Sequence, residues 1–151
     1  MDEKYIRYPK AAMKLEWIND KCDVCSGCVV TCSMLHFKEA HREKAGIRLD
    51  LNYNDGIYKA YYCRQCDAPS CVQACRVGAM YIDETTGCRV IDQTKCIGCK
   101  QCMKACPFDA VIYVSETKTC FKCDLCGGDP QCVVQCPPRA LLVQPTKPNK
   151  K

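Results

Sequence analysis

The chemistry of this chain is concentrated in its cysteines, which number 18 among 151 residues. One stretch, CIGCKQCMKACP, holds four of them and closes with a proline. Similar crowding occurs at three other places, and Cys88 stands apart. The four groups are Cys22, Cys25, Cys28 and Cys32; Cys63, Cys66, Cys71 and Cys75; Cys96, Cys99, Cys102 and Cys106; and Cys120, Cys123, Cys126, Cys132 and Cys136.

The first and third groups have the spacing Cys-x2-Cys-x2-Cys-x3-Cys, which bacterial ferredoxins use to hold a cubane [4Fe–4S] cluster. Three thiolates from one loop ligate three corners of the cube, and the fourth cysteine points away to ligate the other cluster of a pair. Thiolate suits iron because both are comparatively soft. The second group differs only by a wider gap between Cys66 and Cys71. These spacings predict iron–sulfur clusters.

Zinc and disulfide bonds are the alternative uses of so many cysteines. The second and fourth groups contain Cys-x2-Cys pairs that could converge on a tetrahedral zinc ion. Zinc, however, gives no role to the middle cysteines of the first and third groups or to the Cys-Pro endings. Disulfide frameworks are typical of exported proteins, and the N-terminus MDEKYIRYPKAAMKLEW has neither an apolar leader segment nor a cleavage site. We therefore expect a cytoplasmic metal-binding protein.

The fourth group has one thiol more than a cluster site needs. A selection of Cys120, Cys123, Cys126 and Cys136 would copy the simple run with a long gap, whereas a selection that uses Cys132 would close on Cys-x3-Cys. Spacing alone leaves both open. Cys88 is expected to be a packing cysteine, and the two histidines, His36 and His41, are expected at the surface rather than on a metal.

The elements that position these cysteines form an internal repeat. The residues after Cys75, Cys106 and Cys136 read RVGAMYI, PFDAVIY and PPRALLV, and each predicts a tight turn, an alanine and a short strand. These cysteines are 31 and 30 residues apart (106 minus 75, and 136 minus 106). Each unit is thus a cysteine loop, a helical turn and a strand, with strands predicted at 111–114 and 141–143.

The prolines that follow two of these cysteines, Pro107 and Pro137, lack an N–H group and disfavour helix in the residue before them. They are therefore expected to end the helical turn at the cysteine. Arg76 takes the place of proline after Cys75. This difference weakens the predicted stop there without removing the ligand.

Residues 36–62 interrupt the repeats. His36–Lys44 is strongly charged and is predicted to be a surface helix, and RLDLNYNDGIYKAYY alternates apolar and polar residues around Asp55-Gly56, which predicts a β-hairpin. The insertion either docks a partner or covers the core. Residues 1–14 and 144–151 are predicted to be an N-terminal arm and a C-terminal tail.

The composition supports a core built from cofactors. Hydrophobic residues make up 48% of the chain, and removing the cysteines (18 of 151, about 12%) leaves about 36%. The net charge is +5, but four oxidised clusters at about −2 each would bring it to about −3. The basic residues therefore offset cluster charge, and we expect no nucleic-acid partner. No apolar run is long enough to predict a membrane span.

Four ferredoxin-like groups in one short chain resemble the four-cluster electron-transfer subunits of molybdenum and tungsten oxidoreductases, of the dimethyl sulfoxide reductase iron–sulfur subunit type. The resemblance covers roughly residues 15–143 and includes DAPSC after Cys66, KCDLC and PQCVVQCP. CSGCVVTCSMLHF followed by GIRLDL is similar to the first segment of the compact subunits found beside tungsten-dependent aldehyde oxidoreductases.

The resemblance implies an α+β fold with two ferredoxin-like dicluster modules in one small domain, its short strands and helical turns packed around the clusters. The inner module would span about 63–115, and the outer module about 15–35 plus 116–143. In the fourth group the resemblance favours Cys132 and leaves Cys126 as a spare buried thiol. The implied ligand sets are Cys22, Cys25, Cys28 and Cys136; Cys63, Cys66, Cys71 and Cys106; Cys75, Cys96, Cys99 and Cys102; and Cys32, Cys120, Cys123 and Cys132.

The implied function is a relay of single electrons through four [4Fe–4S] clusters by a non-catalytic subunit. Its partner would be a catalytic subunit with a tungsten or molybdenum pterin centre, with aldehyde oxidoreductase preferred over formate dehydrogenase, hydrogenase or carbon monoxide dehydrogenase. The acceptor would be a flavin- or NAD-binding subunit or a ferredoxin. A free polyferredoxin is the alternative. The sequence itself contains no acid–base pair, Ser–His arrangement or phosphate-binding loop that would indicate catalysis.

Overall fold

The computed structural model describes residues 13–52 and 54–145. It is an α+β fold of short elements, which confirms the predicted fold class. In chain order the strands and helices are β1 (Met13–Trp17), α1 (Gly27–Phe37), β2 (Ile47–Asn52), β3 (Ile57–Tyr62), α2 (Ser70–Ala74), β4 (Met80–Ile82), β5 (Arg89–Ile91), α3 (Gln101–Ala105), β6 (Ile112–Val114), β7 (Thr119–Phe121), α4 (Gln131–Val134) and β8 (Leu141–Pro145).

The strands form four separate two-stranded antiparallel sheets, which pair β1 with β8, β2 with β3, β4 with β5, and β6 with β7. The β1–β8 pair joins the two ends of the described chain, with Met13 opposite Pro145 and Trp17 opposite Leu141. Helix α1 packs on α4, and α2 packs on α3. In chain order, β2 to β7 are therefore inserted between two segments that pack together, β1–α1 and α4–β8.

The first two residues of β1 and the last two of β8 fall in segments that the sequence assigns to the N-terminal arm and the C-terminal tail. The remainder of those segments, residues 1–12 and 146–151, lies outside the described residues.

The predicted repeat is present in the structure as a short helix followed by a strand, in the pairs α2–β4, α3–β6 and α4–β8. Helices α2 and α3 both end immediately before an extended cysteine: Cys75 has φ −80° and ψ 103°, and Cys106 has φ −80° and ψ 114°. The helical turn thus ends at the same point whether Arg76 or Pro107 follows. A following proline is therefore not required for this stop.

The insertion contains the predicted hairpin but not the predicted helix. Strands β2 and β3 pair from Ile47 opposite Tyr62 to Asn52 opposite Ile57. The prediction of a helix at His36–Lys44 is wrong, because α1 already ends at Phe37 and the Lys38 backbone is left-handed with φ 61°. The Ser33 hydroxyl donates to the Glu39 carbonyl at 2.5 Å and accepts the His41 N–H at 3.0 Å. These two bonds hold the following residues in a turn.

Two apolar cores lie in the described part of the chain. The outer core unites residues from β1, α1, the base of the hairpin and the segment around α4, including Leu15, Val29, Ile47, Leu125 and Leu141. The inner core is smaller and consists of the buried residues Met80, Cys102, Val111 and Cys120. The base of the hairpin is part of the outer core, since Ala45, Ile47 and Tyr62 are all buried in it.

Candidate metal centres

The first candidate centre lies at the start of α1. Burial and, to a smaller extent, the nearby thiols of Cys22, Cys136 and Cys25 raise the pKa of Cys28 to about 11. The loop reaches this position through two left-handed residues just before the helix. Cys25 is exposed and the other three are partly buried. The structure therefore brings together the four thiols expected for the first cluster.

The second candidate centre is a cavity beside α2 and α3, lined by the thiols expected for the second cluster, Cys63, Cys66, Cys71 and Cys106. Burial raises the pKa of Cys71 to about 11, and the Cys63 and Cys106 thiols add to the rise. The side chain of Lys122 also lines this cavity. Three of these thiols come from the loop and first turn of α2, and the fourth comes from the end of α3.

The third candidate centre is a cavity lined by Cys75, Cys96, Cys99 and Cys102, the set expected for the third cluster, and also by Cys120. Cys99 is exposed. Burial, followed by the adjacent Cys120 and Cys96 thiols, raises the pKa of Cys102 to about 12.

The ligand loop of the third centre depends on Gly98. This residue has φ +68°, and a Cβ there would lie 2.2 Å from the Lys118 carbonyl oxygen. Only glycine combines the left-handed backbone with this close approach. It lets the Cys96–Cys102 loop lie directly against the turn between β6 and β7.

The fourth candidate centre is a cavity lined by Cys32, Cys123, Cys126 and Cys132. Burial raises the pKa of Cys132 to about 12, and the thiols of Cys32, Cys126 and Cys28 contribute. Because Cys28 belongs to the first centre, the first and fourth centres are neighbours. Cys123 is partly buried, and burial raises the pKa of its thiol well above the ordinary value.

The fourth centre differs from the sequence expectation, which made Cys120 a ligand and Cys126 a spare thiol. Cys120 lies in β7 opposite Tyr113 and packs in the inner core beside the third cavity. Cys126 instead lines the fourth cavity, because the chain turns sharply there: Leu125 and Cys126 have φ 57° and 50°. The Asp124 carboxylate accepts the Cys126 N–H at 2.8 Å and fixes this turn. The signal in the sequence is Asp124 followed by Gly127-Gly128, a turn-forming pattern.

His36 also lies at the fourth cavity and not on the open surface. Its Nε2 atom is 3.7 Å from Cys126 Sγ and 3.9 Å from an Asp124 carboxylate oxygen. Its ring packs against Phe121, with the ring centroids 5.0 Å apart. Of the two histidines expected at the surface, only His41 is exposed.

The hairpin insertion supports the fourth centre directly. The Gly46 N–H donates to Cys32 Sγ at 3.2 Å. A Cβ on Gly46 would lie 2.8 Å from both the N and Cα atoms of Cys123. Glycine therefore allows the start of β2 to contact the backbone of the Cys123 loop.

Backbone N–H groups point at cysteine sulfurs in all three centres that form cavities. Such bonds favour the charged thiolate and tune the potential of a bound cluster. The donor–sulfur distances are Gly46 to Cys32 3.2 Å, Gln65 to Cys63 3.4 Å, Met80 to Cys75 3.3 Å, Ala110 to Cys106 3.5 Å, Cys120 to Cys96 3.3 Å and Leu125 to Cys123 3.4 Å.

The sequence of this chain matches a family of iron–sulfur proteins. The family model described as the 4Fe-4S dicluster domain matches residues 54–146 of this chain, which is more than half of its 151 residues. The chain belongs to the 4Fe-4S dicluster family. This membership confirms the resemblance stated from the cysteine groups.

Two curated relatives and one solved structure illustrate the similarity of this dicluster protein to others. The polyferredoxin-like subunit of aliphatic sulfonate oxidoreductase from Pyrococcus furiosus is 39% identical over 117 residues, 78% of this chain and 67% of that protein. The probable anaerobic dimethyl sulfoxide reductase chain YnfG from Escherichia coli K12 is 35% identical over 147 residues, 84% of this chain and 70% of that one. The active-site complex BamBC of benzoyl coenzyme A reductase, in complex with zinc, contains a chain with the same fold. It aligns with a TM-score of 0.56 and 19% identity, over 95% of this chain and 84% of that chain.

The thiols of this dicluster protein fit four [4Fe–4S] clusters, as predicted. Each centre gathers at least four cysteines, and four ligands per cluster would use 16 of the 18 in the chain. Crowding and burial raise the pKa values of these thiols, so the thiolate form requires a cation at each centre. Cluster iron supplies that positive charge and holds coordinating thiols deprotonated. Four thiolates per cluster also match the ligand number of the cubane.

Cys88 lies outside the four centres. It is buried in the outer core, and its sulfur is 3.9 Å from the Thr86 carbonyl oxygen. This position agrees with a packing role. Across residues 13–52 and 54–145, no helix combines the length and apolar character that crossing a bilayer requires.

Proposed function

We propose that this dicluster protein is a non-catalytic subunit that relays single electrons through four [4Fe–4S] clusters, between a catalytic oxidoreductase subunit and a redox acceptor. One observation carries the proposal: each centre brings together at least four thiols, so a cubane bound there has no open position for substrate. A fully ligated cluster exchanges electrons with its neighbours and performs no bond chemistry of its own.

The proposed ligand sets follow the thiols that share each centre. They retain the sequence expectation for three clusters and replace Cys120 by Cys126 in the fourth. The sets are Cys22, Cys25, Cys28 and Cys136; Cys63, Cys66, Cys71 and Cys106; Cys75, Cys96, Cys99 and Cys102; and Cys32, Cys123, Cys126 and Cys132.

The contacts between centres support an order for the relay. The first and fourth centres are neighbours through Cys28 and Cys132. The fourth and second meet where Lys122 bonds both Cys63 and the Cys123 carbonyl. The second and third share α2 and α3, each of which delivers a cysteine to both. The order is then first, fourth, second, third.

The two ends of this order coincide with the two exposed cysteines, Cys25 and Cys99. Electron transfer to a partner requires a short distance to its redox centre, and an exposed ligand provides one. We therefore place the two docking partners at the Cys25 and Cys99 ends. The intervening second and fourth centres have no exposed ligand among their proposed cysteines.

The partner is proposed to carry a tungsten or molybdenum pterin centre, with an aldehyde oxidoreductase preferred. The similarity of the first segment to compact subunits beside tungsten enzymes supports this choice, as do two relatives named as parts of oxidoreductases. The acceptor would be a flavin- or NAD-binding subunit or a ferredoxin. Cytoplasmic placement remains a prediction from the sequence.

The test is elemental analysis of the complex isolated anaerobically from its native source, normalised to this chain. We expect about 16 iron atoms per chain, after correction for partner clusters, together with tungsten or molybdenum. Nickel would assign the partner to hydrogenase or carbon monoxide dehydrogenase instead. Zinc with little iron would contradict the relay itself.

Size separates a subunit from a free carrier in the same preparation. After mild anaerobic lysis, a subunit migrates with its partner on gel filtration. Elution of the brown chain alone, at its own mass of 17.0 kDa, would favour the free polyferredoxin.

A further inference from the structure

Lys122 occupies an unusual position between the second and fourth centres. It follows β7, directly precedes Cys123, and is only 2% exposed. Its Nζ atom donates to Cys63 Sγ at 3.3 Å, to the Cys123 carbonyl at 3.2 Å and to the Arg89 carbonyl. An ammonium group has three N–H donors. Each of the three therefore has an acceptor within the protein.

The charge of this ammonium has no carboxylate partner. Among the ion pairs of residues 13–52 and 54–145, none includes Lys122. Burying an unpaired charge is costly, and natural proteins compensate such charges with a counter-ion. The anionic groups that face Lys122 are sulfurs: it contacts Cys63, and it opposes the rise in the pKa of the Cys71 and Cys123 thiols that burial causes.

The contacts of Lys122 therefore reach two different ligand sets. Cys63 and Cys71 belong to the second centre, and Cys123 belongs to the fourth. The neighbouring Arg89 is also buried, but its Nε donates to the Cys66 carbonyl at 2.9 Å and its Nη1 to the Gly87 carbonyl at 2.6 Å. Among the lysines of the described residues, Lys122 is the one whose ammonium donates to a cysteine sulfur.

We propose that the Lys122 ammonium is a redox-tuning group shared by the second and fourth centres, where it raises the reduction potential of both. A fixed positive charge stabilises an added electron, and the buried position limits screening by water and salt. When an electron passes between the two centres, one centre is oxidised and the other reduced by that same electron. The proposal rests on the ligand sets given under the proposed function.

The sharing has a consequence for the relay. A charge that favoured only one of the two centres would trap the electron there. Because Lys122 contacts both ligand sets, it lowers the energy of the electron on either side of the junction. The difference in reduction potential between the second and fourth centres then stays small. The potentials of both are raised relative to those of the first and third centres, at the ends of the relay.

The test compares Lys122→Met with Lys104→Met in the full chain, by EPR-monitored redox titration of all four clusters. Methionine keeps an unbranched side chain of similar length and removes the charge. Lys104 is an exposed lysine on α3, close in sequence to Cys102 and Cys106, so its variant measures the effect of losing any nearby surface charge. Iron content is measured first, because about 16 iron atoms per chain tests the proposed function separately.

We expect two of the four midpoint potentials to fall in Lys122→Met. Each fall should correspond to about a tenfold change in the reduction equilibrium, or about 59 mV for one electron. The other two potentials, and all four in Lys104→Met, should change by much less. Four equal shifts, or no shift at full iron content, would overturn the proposal.

A measurement on the unaltered sequence covers the case in which Lys122→Met loses iron. Protein labelled with ¹⁵N at the lysine Nζ, partially reduced, is examined by electron–nuclear double resonance. A lysine N–H bonded to a ligand sulfur should give a resolved ¹⁵N hyperfine coupling. The absence of any such coupling in a sample with full iron content would also overturn the proposal.

Discussion

The inner and outer modules hold their clusters with different amounts of ordinary protein core. The outer core has ten buried residues, of which three are cysteines (Cys32, Cys88 and Cys132). The inner core has four, of which two are cysteines (Cys102 and Cys120). The hairpin insertion enlarges only the outer core, through Ala45, Ile47 and Tyr62. The outer module can therefore keep part of its structure without metal, whereas the inner module depends on its clusters.

Removal of iron tests this difference most strongly. After anaerobic chelation, amides of β4–β5 and β6–β7 should exchange about tenfold faster or more relative to the holoprotein, since their small core is surrounded by the proposed ligands Cys71, Cys75, Cys96 and Cys106. Amides of β1–β8 and β2–β3 should lose less protection because Leu15, Ile47 and Leu141 still pack together. Hydrogen exchange with mass spectrometry measures both. Equal loss in the two modules would contradict the comparison.

The fourth centre provides the next largest effect. Cys126→Ala should remove about four of 16 iron atoms, because it deletes one of four proposed ligands. Cys120→Ala should retain the iron and cost about 1–2 kcal/mol of unfolding free energy through a small cavity in the inner core. Iron analysis and chemical denaturation of both variants provide the measurements. The reverse pattern would restore the assignment expected from sequence.

Gly98 should be critical to the third centre, where Gly78 serves as a matched control. Both glycines have φ near +67°, but a Cβ at Gly78 meets nothing within 4 Å. Gly78→Ala should therefore cost only about 1–2 kcal/mol of backbone strain and keep its iron. Gly98→Ala adds a collision with the Lys118 carbonyl and should lower occupancy of the third centre. Equal iron content in the two variants would show that the β6–β7 turn yields easily.

The smallest effect is expected at the contact between the insertion and the β6–β7 turn. Lys44 pairs with Glu39 in the insertion and with Glu116 in the β6–β7 turn, and it holds the pKa of Glu116 at about 2. Exposed ion pairs contribute little to stability. Lys44→Met should lower the unfolding temperature by about 1–3 °C without loss of iron. Lys95→Met, which breaks a pair within one exposed turn, should change it less.

The predictions of local structure that the structure confirms came from residues that lie close together in the chain. The repeat after each final cysteine and the hairpin around Asp55-Gly56 depend on residues close in the chain, and both are present. The helix expected at His36–Lys44 failed because Ser33, which lies before that stretch, bonds Glu39 and His41. Composition of the stretch alone does not reveal that competing bond.

The fourth centre could not be resolved from spacing for a related reason. Cys120 and Cys126 both lie three residues from Cys123, so spacing treats them alike. Their separation in space comes from the strand pairing of Cys120 with Tyr113 and from the left-handed turn at Leu125 and Cys126. Lys122 likewise carries no signal in the sequence that distinguishes it from the other lysines. Its burial depends on Arg89 and Cys63, which lie 33 and 59 residues away.

The N–H donors to the cysteine sulfurs have a consequence for divergence among related chains. Apart from the Lys122 and His36 side chains, the donors in the described part of the chain are backbone amides, at residues as different as Gly46, Gln65, Met80, Ala110 and Leu125. Any residue other than proline supplies the same donor. Side-chain substitution at these positions therefore leaves the bond intact as long as the loop keeps its path. Relatives that share the loop geometry can lose most of their sequence identity and still inherit this part of the electrostatic environment of their clusters.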